Sequence, residues 1–250
     1  DEFIFLQEFK DHTGRPVPLD SRSYDLWFQH IAIVVTNMDK AYEILKDNRV
    51  KHVSTAPQKL PDYIPAAAGI EAFYFQDPDG HNLELIYFPA GKGNPKWKNP
   101  DNNLFAGIDH TAIAISNTPE QSLFYEKLLG LKTMGESENY GPEQERLNQV
   151  FGARLQISGL VAQNGIGLEF LEYIAPPGGR PYPASSRPDD IWHWHTTIEV
   201  ANINDIFLKA SQSYQMISKN LINMQETPLP YSFGFMVRDK DGHAVLILQK

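Results

Sequence analysis

Apolar and polar residues alternate along several short stretches of this chain, as expected for half-buried β-strands. One stretch, Trp192 to Val200, reads WHWHTTIEV and places His193 and His195 on the same face, two residues apart. Similar strands are predicted at 28–35 and 108–115. Each of the three strands carries a histidine close to its start. Apolar packing alone does not explain this shared polar feature.

Each of these strands leads into a predicted helix and then into further strands. Helices are predicted at 38–46, 118–128 and 204–213. Further strands are predicted at 71–76, 82–88, 131–134, 154–159, 168–173 and, as a hairpin, within 233–248. The strongly polar segment 136–148 is predicted to be a loop. The order strand, helix, strands predicts an α+β fold made of βαβββ units.

Two motifs occur twice in the chain, at closely matching distances from the predicted strands. They are GRPVP at 14–18 with GRPYP at 179–183, and DPDGH at 77–81 with DKDGH at 239–243. A looser copy of the first strand, GIDHTAIAIS, begins at Gly107. We therefore expect the same unit to occur at least three times.

The repeats also suggest how the chain is divided. Phe3 to Leu6 matches Leu168 to Leu171, so we expect it to be the last strand of a further unit whose beginning is absent. Glycine, proline, asparagine and lysine are concentrated in the segment that follows the first complete unit. We predict an N-terminal domain over 1–95, a linker over 96–105, and a C-terminal domain of two units over 106–250.

The composition excludes several kinds of partner and chemistry. The formal charge of −9 argues against a nucleic acid or an anionic membrane, because either would need a basic patch. There is no cysteine, so disulfides and thiol chemistry are excluded. No apolar run approaches the length of a membrane span. We expect a cytoplasmic protein that acts on a small molecule, with export and a homo-oligomer left open.

The chain resembles the vicinal oxygen chelate superfamily, which includes glyoxalase I, extradiol ring-cleaving dioxygenases and bleomycin-resistance proteins. The resemblance rests on the early strand histidine, LLGL at 128–131, DPDGHNLEL at 77–85 and the repetition, and it covers nearly the whole chain. It implies that two βαβββ units pair into an incomplete barrel around one metal. Applied to this sequence, it pairs the unit at Gly107 with the unit at Trp192, and the unit at Phe28 with the one represented only by its last strand.

In that superfamily the first strand of each unit gives a His or Gln and the last strand often gives a Glu. The resemblance therefore implies a metal site made of His110, His195 and Glu169. The fourth position falls on Leu246, which cannot bind a metal. Two histidines and one carboxylate suit non-haem Fe(II), so Fe(II) is favoured over Zn, Ni, Co or Mn.

A second, weaker site is expected in the first half of the chain, from His30 and Glu84. Three more residues are candidates for catalysis. His193 could transfer protons or support the metal ligands, and Tyr140 and Arg146 could contact an anionic or phenolic substrate. A packed histidine and a solvated loop are the alternatives at these positions.

Three functions are compatible with these residues. The first is an Fe(II) extradiol ring-cleaving dioxygenase acting on a substrate with two adjacent oxygens. The second is a glyoxalase I-type lyase or an epimerase, although the four protein ligands usual in such sites are not expected here. The third is a metal-free protein that binds a small molecule in an aromatic-lined cleft.

Overall fold

The structure is a computed structural model that describes residues 3–10, 13–98, 103–227 and 229–250. It confirms the α+β class, with two open β-sheets and few helices. The helices are α1 (Met38–Asp47), α2 (Thr118–Ser122), α3 (Pro142–Asn148) and α4 (Ile203–Ser213), and a π-helical stretch (Leu123–Leu128) extends α2. Among the described residues, no helix has the length and apolar character that crossing a membrane requires.

The larger sheet combines the first unit, which contains the strand at Phe28, with the second unit, which starts near Gly107. The first unit contributes β1 (Gln29–Val35), β2 (Lys51–His52), β3 (Gln58–Lys59), β4 (Glu71–Gln76) and β5 (Asn82–Tyr87). The second contributes β6 (Phe105–Ile115), β7 (Lys132–Tyr140), β8 (Arg154–Val161) and β9 (Gly167–Ala175). The strand order is β2-β4-β5-β1-β6-β9-β8-β7, with β3 beside β4.

The third unit, which follows Trp192, forms a smaller sheet by itself. Its strands are β10 (His195–Glu199), β11 (Gln215–Met216), β12 (Ile222–Asn223), β13 (Phe233–Arg238) and β14 (Ala244–Gln249). The strand order is β10-β14-β13-β11, with β12 beside β13. Within the described part of the chain, β10 therefore lies at a sheet edge.

The predicted pairing of the second unit with the third is wrong. Strand β6 lies antiparallel to β1, not to β10. The cross-strand contacts include a hydrogen bond from the Gln29 side chain to the Thr111 hydroxyl, which in turn donates to the backbone carbonyl of His30. The predicted linker at 96–105 thus joins two halves of one continuous sheet. It contains the end of a short 3-10 turn (Pro95–Lys98) and the start of β6.

Two local predictions also differ from the structure. Phe3 to Leu6 has no regular structure and is exposed, with Leu6 93% accessible, and none of the described strands pairs with its backbone. The polar segment 136–148 is not a loop. Its first half belongs to β7, an edge strand that exposes most of its side chains, and Pro142 then begins α3.

The main hydrophobic core lies between the second and third units. Phe124 and Phe170 of the second unit pack in one cluster with Phe235 and Ile247 of the third. The Tyr125 hydroxyl donates a 3.0 Å hydrogen bond to a buried carboxylate of the third unit. The two sheets are therefore held together by apolar burial, although no strand passes from one sheet to the other.

The repeated GRP motifs form a reciprocal contact, which we call the clasp: Arg15 with Asp190, and Arg180 with Asp25. Arg15 donates from Nε and an Nη to the two oxygens of Asp190, at 3.1 and 2.6 Å. Arg180 binds Asp25 in the same way, at 3.0 and 2.7 Å. Because Arg15 precedes the first unit and Asp190 precedes the third, each unit is held by the segment leading into the other.

Aromatic rings and glycines complete the clasp. The guanidinium of each clasp arginine lies over an indole, Arg15 over Trp192 at 4.9 Å and Arg180 over Trp27 at 4.7 Å. The preceding residue in each motif is glycine. A Cβ at Gly14 or Gly179 would lie 1.6 Å from a backbone carbonyl oxygen of the facing segment, so only glycine permits this approach.

Candidate metal centre

Four polar side chains meet in the middle of the larger sheet: His30 on β1, Glu84 on β5, His110 on β6 and Glu169 on β9. Glu84 Oε2 lies 3.1 Å from His30 Nε2 and 3.6 Å from His110 Nε2. Glu169 Oε2 lies 3.6 Å from His110 Nε2. Each unit therefore supplies one histidine and one glutamate to a single cluster.

The strand register explains why these residues meet. On β1, Ala32 faces both Glu84 on one neighbouring strand and His110 on the other. On β6, Ala112 faces Glu169 on one side and His30 on the other. The two halves are related by an approximate twofold arrangement, and the small alanines leave room for the larger polar groups.

Burial and unmet hydrogen-bonding capacity indicate that a divalent cation fits the cluster. The side chains of His30, Glu84 and His110 are 0, 6 and 9% exposed. Among the described residues, Nδ1 of His30 is buried without a hydrogen-bond partner, and the contacts of His30 Nε2 and His110 Nε2 with the glutamates lack hydrogen-bond geometry. One ligand atom from each of these three residues lies within 4.8 Å of the others. Imidazole nitrogens and carboxylate oxygens of this kind are suitable ligands for Zn, Ni, Co, Mn or Fe.

The electrostatics also favour a cation. Burial opposes the charged form of His110, but the carboxylates of Glu169, Asp109 and Glu84 outweigh it and raise the pKa of His110 to about 9. Burial raises the pKa of Glu169, with Glu84 adding to the rise although His110 opposes it. The metal-free cluster therefore concentrates negative charge and holds a proton in compensation. Binding of a divalent cation would release that proton.

Aromatic and aliphatic side chains pack beside the four-residue cluster. The His30 ring lies 4.8 Å from the ring of Tyr74, and burial raises the pKa of this phenol well above its usual value. Leu147 at the end of α3 packs in one cluster with Phe28 and Tyr74, so α3 covers part of the sheet face beside His30.

A cleft of about 270 Å³ lies further along β1, and its walls include Val34, Val35, Thr36, Tyr87, Phe88, Ala90, Trp97 and Lys98.

Solved structures share this architecture. Glyoxalase I from Zea mays superposes with a TM-score of 0.55 at 16% sequence identity, over 88% of this chain and 66% of the maize chain. A variant of that enzyme gives a TM-score of 0.57 at 17% identity, over 88% and 67%. A putative dioxygenase from Bacillus subtilis gives 0.52 at 14% identity, over 92% and 63%. The chain has the vicinal oxygen chelate fold.

The likeness to these proteins lies in the fold. The chain spans about two thirds of the length of the maize and Bacillus subtilis chains. No protein-family model matches the chain, and no curated protein matches its sequence. The fold alone does not identify the reaction, which depends on the residues of the site.

The structure separates the three residues that were expected to bind one metal, His110, Glu169 and His195. His110 and Glu169 meet, but they are joined by His30 and Glu84, the residues expected to form a separate, weaker site. His195 belongs to β10 of the smaller sheet and pairs with Ala244 on β14. Two residues further along β14, where the larger sheet carries a glutamate, this strand has Leu246. The expected pairing failed because β6 hydrogen-bonds to β1, which carries His30, and not to β10.

The residues expected to take part in catalysis lie outside the cluster. The ring of His193 lies 5.9 Å from that of His195, and burial lowers its pKa to about 4. Tyr140 packs against Tyr63 with ring centroids 5.3 Å apart and the rings tilted by 36°, and it is exposed. Arg146 is an exposed residue of α3. The cluster of four ligands includes none of these three side chains.

The two turn histidines have structural roles, as their DxDGH motifs indicate. His81 Nδ1 lies 2.8 Å from a carboxylate oxygen of Asp77, and His243 Nδ1 lies 2.8 Å from one of Asp239. In contrast, Asp109 is a site residue that the sequence pattern did not predict, and its Oδ2 lies 3.0 Å from His110 Nδ1. Neighbouring residues in a regular strand point to opposite faces, so the pattern gave no sign of this contact.

Proposed function

We propose that this chain is a metal-dependent enzyme of the glyoxalase I or epimerase type, which moves a proton on a carbon next to a carbonyl group. The observation that carries the proposal is the joining of His30, Glu84, His110 and Glu169 in one cluster. Such a set would supply four protein ligands to a single divalent cation. The partner would be a small molecule with two neighbouring oxygen atoms.

The ligand number favours this chemistry over dioxygen chemistry. An octahedral metal has about six coordination positions, and a two-histidine, one-carboxylate site leaves three of them open. Four protein ligands leave two coordination positions open. These two positions can accept two adjacent substrate oxygens, but no position then remains for dioxygen. An Fe(II) dioxygenase is the expectation for a set of three ligands, His110, His195 and Glu169. Zn, Ni, Co or Mn is the better expectation for the set of four.

The proposed division of labour follows from burial. A bound divalent cation would supply Lewis-acid polarisation of the substrate carbonyl. His30, His110 and Glu84 are the more enclosed ligands and would hold it. Glu169 is the least enclosed of the four ligands, at 25% exposed, and burial raises its pKa, so it would be the ligand best suited to leave the cation and to accept and return a proton.

The cleft beside β1 is the proposed location for the part of the substrate that does not react. Val34 lies on the same strand face as His30 and Ala32, since strand residues two apart share a face. Val34 and Trp97 line the cleft, and they also pack in one cluster with Ala32, whose strand neighbours are Glu84 and His110. A bulky replacement of the exposed cleft residue Ala90, Ala90→Trp, is expected to raise KM several-fold with metal content unchanged.

The test combines metal analysis with hydrogen exchange. Protein loaded with Zn, Ni, Co or Mn is incubated in D₂O with a panel of 2-hydroxycarbonyl compounds and 2-oxoaldehyde–thiol adducts, and deuterium incorporation at carbon is followed by NMR. We expect exchange with the wild type, and loss of exchange in Glu169→Gln. Glu138→Gln, an exposed carboxylate that binds Arg154, is the matched control and should behave as wild type. Oxygen uptake and ring cleavage with a catechol tested in parallel, and no exchange with the panel, would overturn the proposal.

A further inference from the structure

The backbone of β6 departs from regular geometry next to the cluster. Ala32 is paired with His110, but the next residue, Ile33, is paired with Ile108, so Asp109 has no partner on β1. This is a β-bulge, which bends the strand and redirects a side chain. Asp109 can therefore turn towards its neighbour, and its Oδ2 lies 3.0 Å from His110 Nδ1.

Asp109 is itself held by a tryptophan. The indole Nε1–H of Trp97, in the 3-10 turn, donates a hydrogen bond to Asp109 Oδ1. The indole lies against Gly107, where φ is +145° and a Cβ would come within 2.9 Å of the ring. The glycine therefore leaves the space in which the indole can reach the bulged aspartate.

The two histidines of the cluster differ in the groups that contact their Nδ1 atoms. His110 has a carboxylate on Nδ1, which favours a proton there and leaves Nε2 to face Glu84 and Glu169. His30 is also buried, but its Nδ1 has no hydrogen-bond partner in the part of the chain that the structure describes. The approximate twofold symmetry of the four ligands is therefore broken by the groups behind them.

We propose that Trp97 and Asp109 are positioning residues, which orient His110 and strengthen it as a metal ligand. Carboxylates behind ligating histidines fix the ring and its tautomer, and removing them typically lowers metal affinity by about 10–100-fold. The second unit then supplies the better organised histidine of the site. The inference rests on the proposed metal centre.

The test measures metal binding rather than activity. Affinity for Zn is determined by competition with a chromophoric chelator, and the visible absorption of the Co form reports ligand geometry. Asp109→Asn should bind about 10–100-fold more weakly and shift the Co spectrum. Trp97→Phe should weaken binding by a smaller factor. In the double variant the two effects should not add, because Trp97 acts through Asp109.

Controls separate positioning from folding. Trp192→Phe removes an indole of the clasp and Asp20→Asn removes an exposed carboxylate, so both should bind Zn as the wild type does. Equal affinity and an unchanged Co spectrum in Asp109→Asn and Trp97→Phe, with the wild type binding metal, would overturn the positioning role alone. Absence of Zn and Co binding in the wild type would overturn the proposed function and this inference together.

Discussion

Replacing Asp190 with asparagine removes the charge from one side of the clasp. The Asp190 side chain is fully buried and accepts hydrogen bonds from the backbone N–H and guanidinium of Arg15, at 2.6–3.1 Å, and from the backbone N–H of Arg187 at 2.8 Å. An asparagine would direct an NH₂ group at one of these donors. The clasp would then lose an acceptor while Arg15 kept its charge.

The loss of folding stability expected in Asp190→Asn follows from the number and kind of these hydrogen bonds. Breaking one partner of a buried charged network typically costs about 2–4 kcal/mol. For a chain of this size such a loss corresponds to a fall in Tm of roughly 4–16 °C. The equivalent variant on the other side, Asp25→Asn, should cost a similar amount because Arg180 binds Asp25 in the same geometry.

The destabilisation should depend on pH with a definite sign. Burial alone would raise the pKa of Asp190, but the hydrogen bonds from Arg15 and Arg187 hold it well below its usual value. A depressed carboxyl pKa stabilises the fold above the unfolded-state value of about 3.9, and this contribution is lost as pH falls further. The difference between wild type and Asp190→Asn should therefore be constant from pH 7 to 5 and shrink below pH 4.

Urea and thermal denaturation, followed by circular dichroism between pH 3 and 7, would measure these differences. Asp20→Asn is the matched control, since Asp20 contacts Arg180 but its side chain is 74% exposed, and it should change little. A difference of less than ~0.5 kcal/mol for Asp190→Asn at pH 7 would refute the structural role assigned to the clasp. A stability difference between the wild type and Asp190→Asn that grows as the pH falls would also refute this role.

Three further predictions concern the core and the cluster. Phe170→Ala should destabilise the chain by about 3–5 kcal/mol in denaturant titration, because this ring is fully buried between the second and third units; a loss below ~1 kcal/mol would contradict that packing. Tyr125→Phe should cost about 1 kcal/mol through the lost hydrogen bond to Asp239, and equal stability would exclude that bond. Ala112→Leu should crowd His30, lowering Zn affinity in chelator competition, and unchanged affinity would show that the strand register is different.

The periodic pattern of the sequence predicted most of the strands, and the resemblance to the vicinal oxygen chelate superfamily indicated the metal-binding residues that each unit offers. Glu84 and Glu169 were identified as the glutamates of the last strands, and His30 and His110 as the histidines of the first strands. The pattern could not predict which units pair. Strands β1, β6 and β10 all alternate in the same way, so the choice depends on contacts distant in sequence, such as the one between Gln29 and Thr111.

Other features were also hidden by distance along the chain. The GRP motifs are visible in the sequence as repeats, but repetition alone does not show what they contact. Their function in the fold depends on aspartates 155 and 175 residues away, which pattern analysis cannot connect. The bulge at Asp109 is a local backbone irregularity that leaves the alternation of apolar residues unchanged. Helix α3 was missed because it is short and polar, and its stability comes from Leu147 packing beside the cluster.

The central claim is that the first and second units together form one metal site. Elemental analysis of protein purified without chelators, for the wild type, His30→Ala and His195→Ala, tests it most directly. We predict about one divalent metal per chain in the wild type, loss of the metal in His30→Ala, and full retention in His195→Ala. Metal retained in His30→Ala but lost in His195→Ala would contradict the account, as would a wild type that binds no metal.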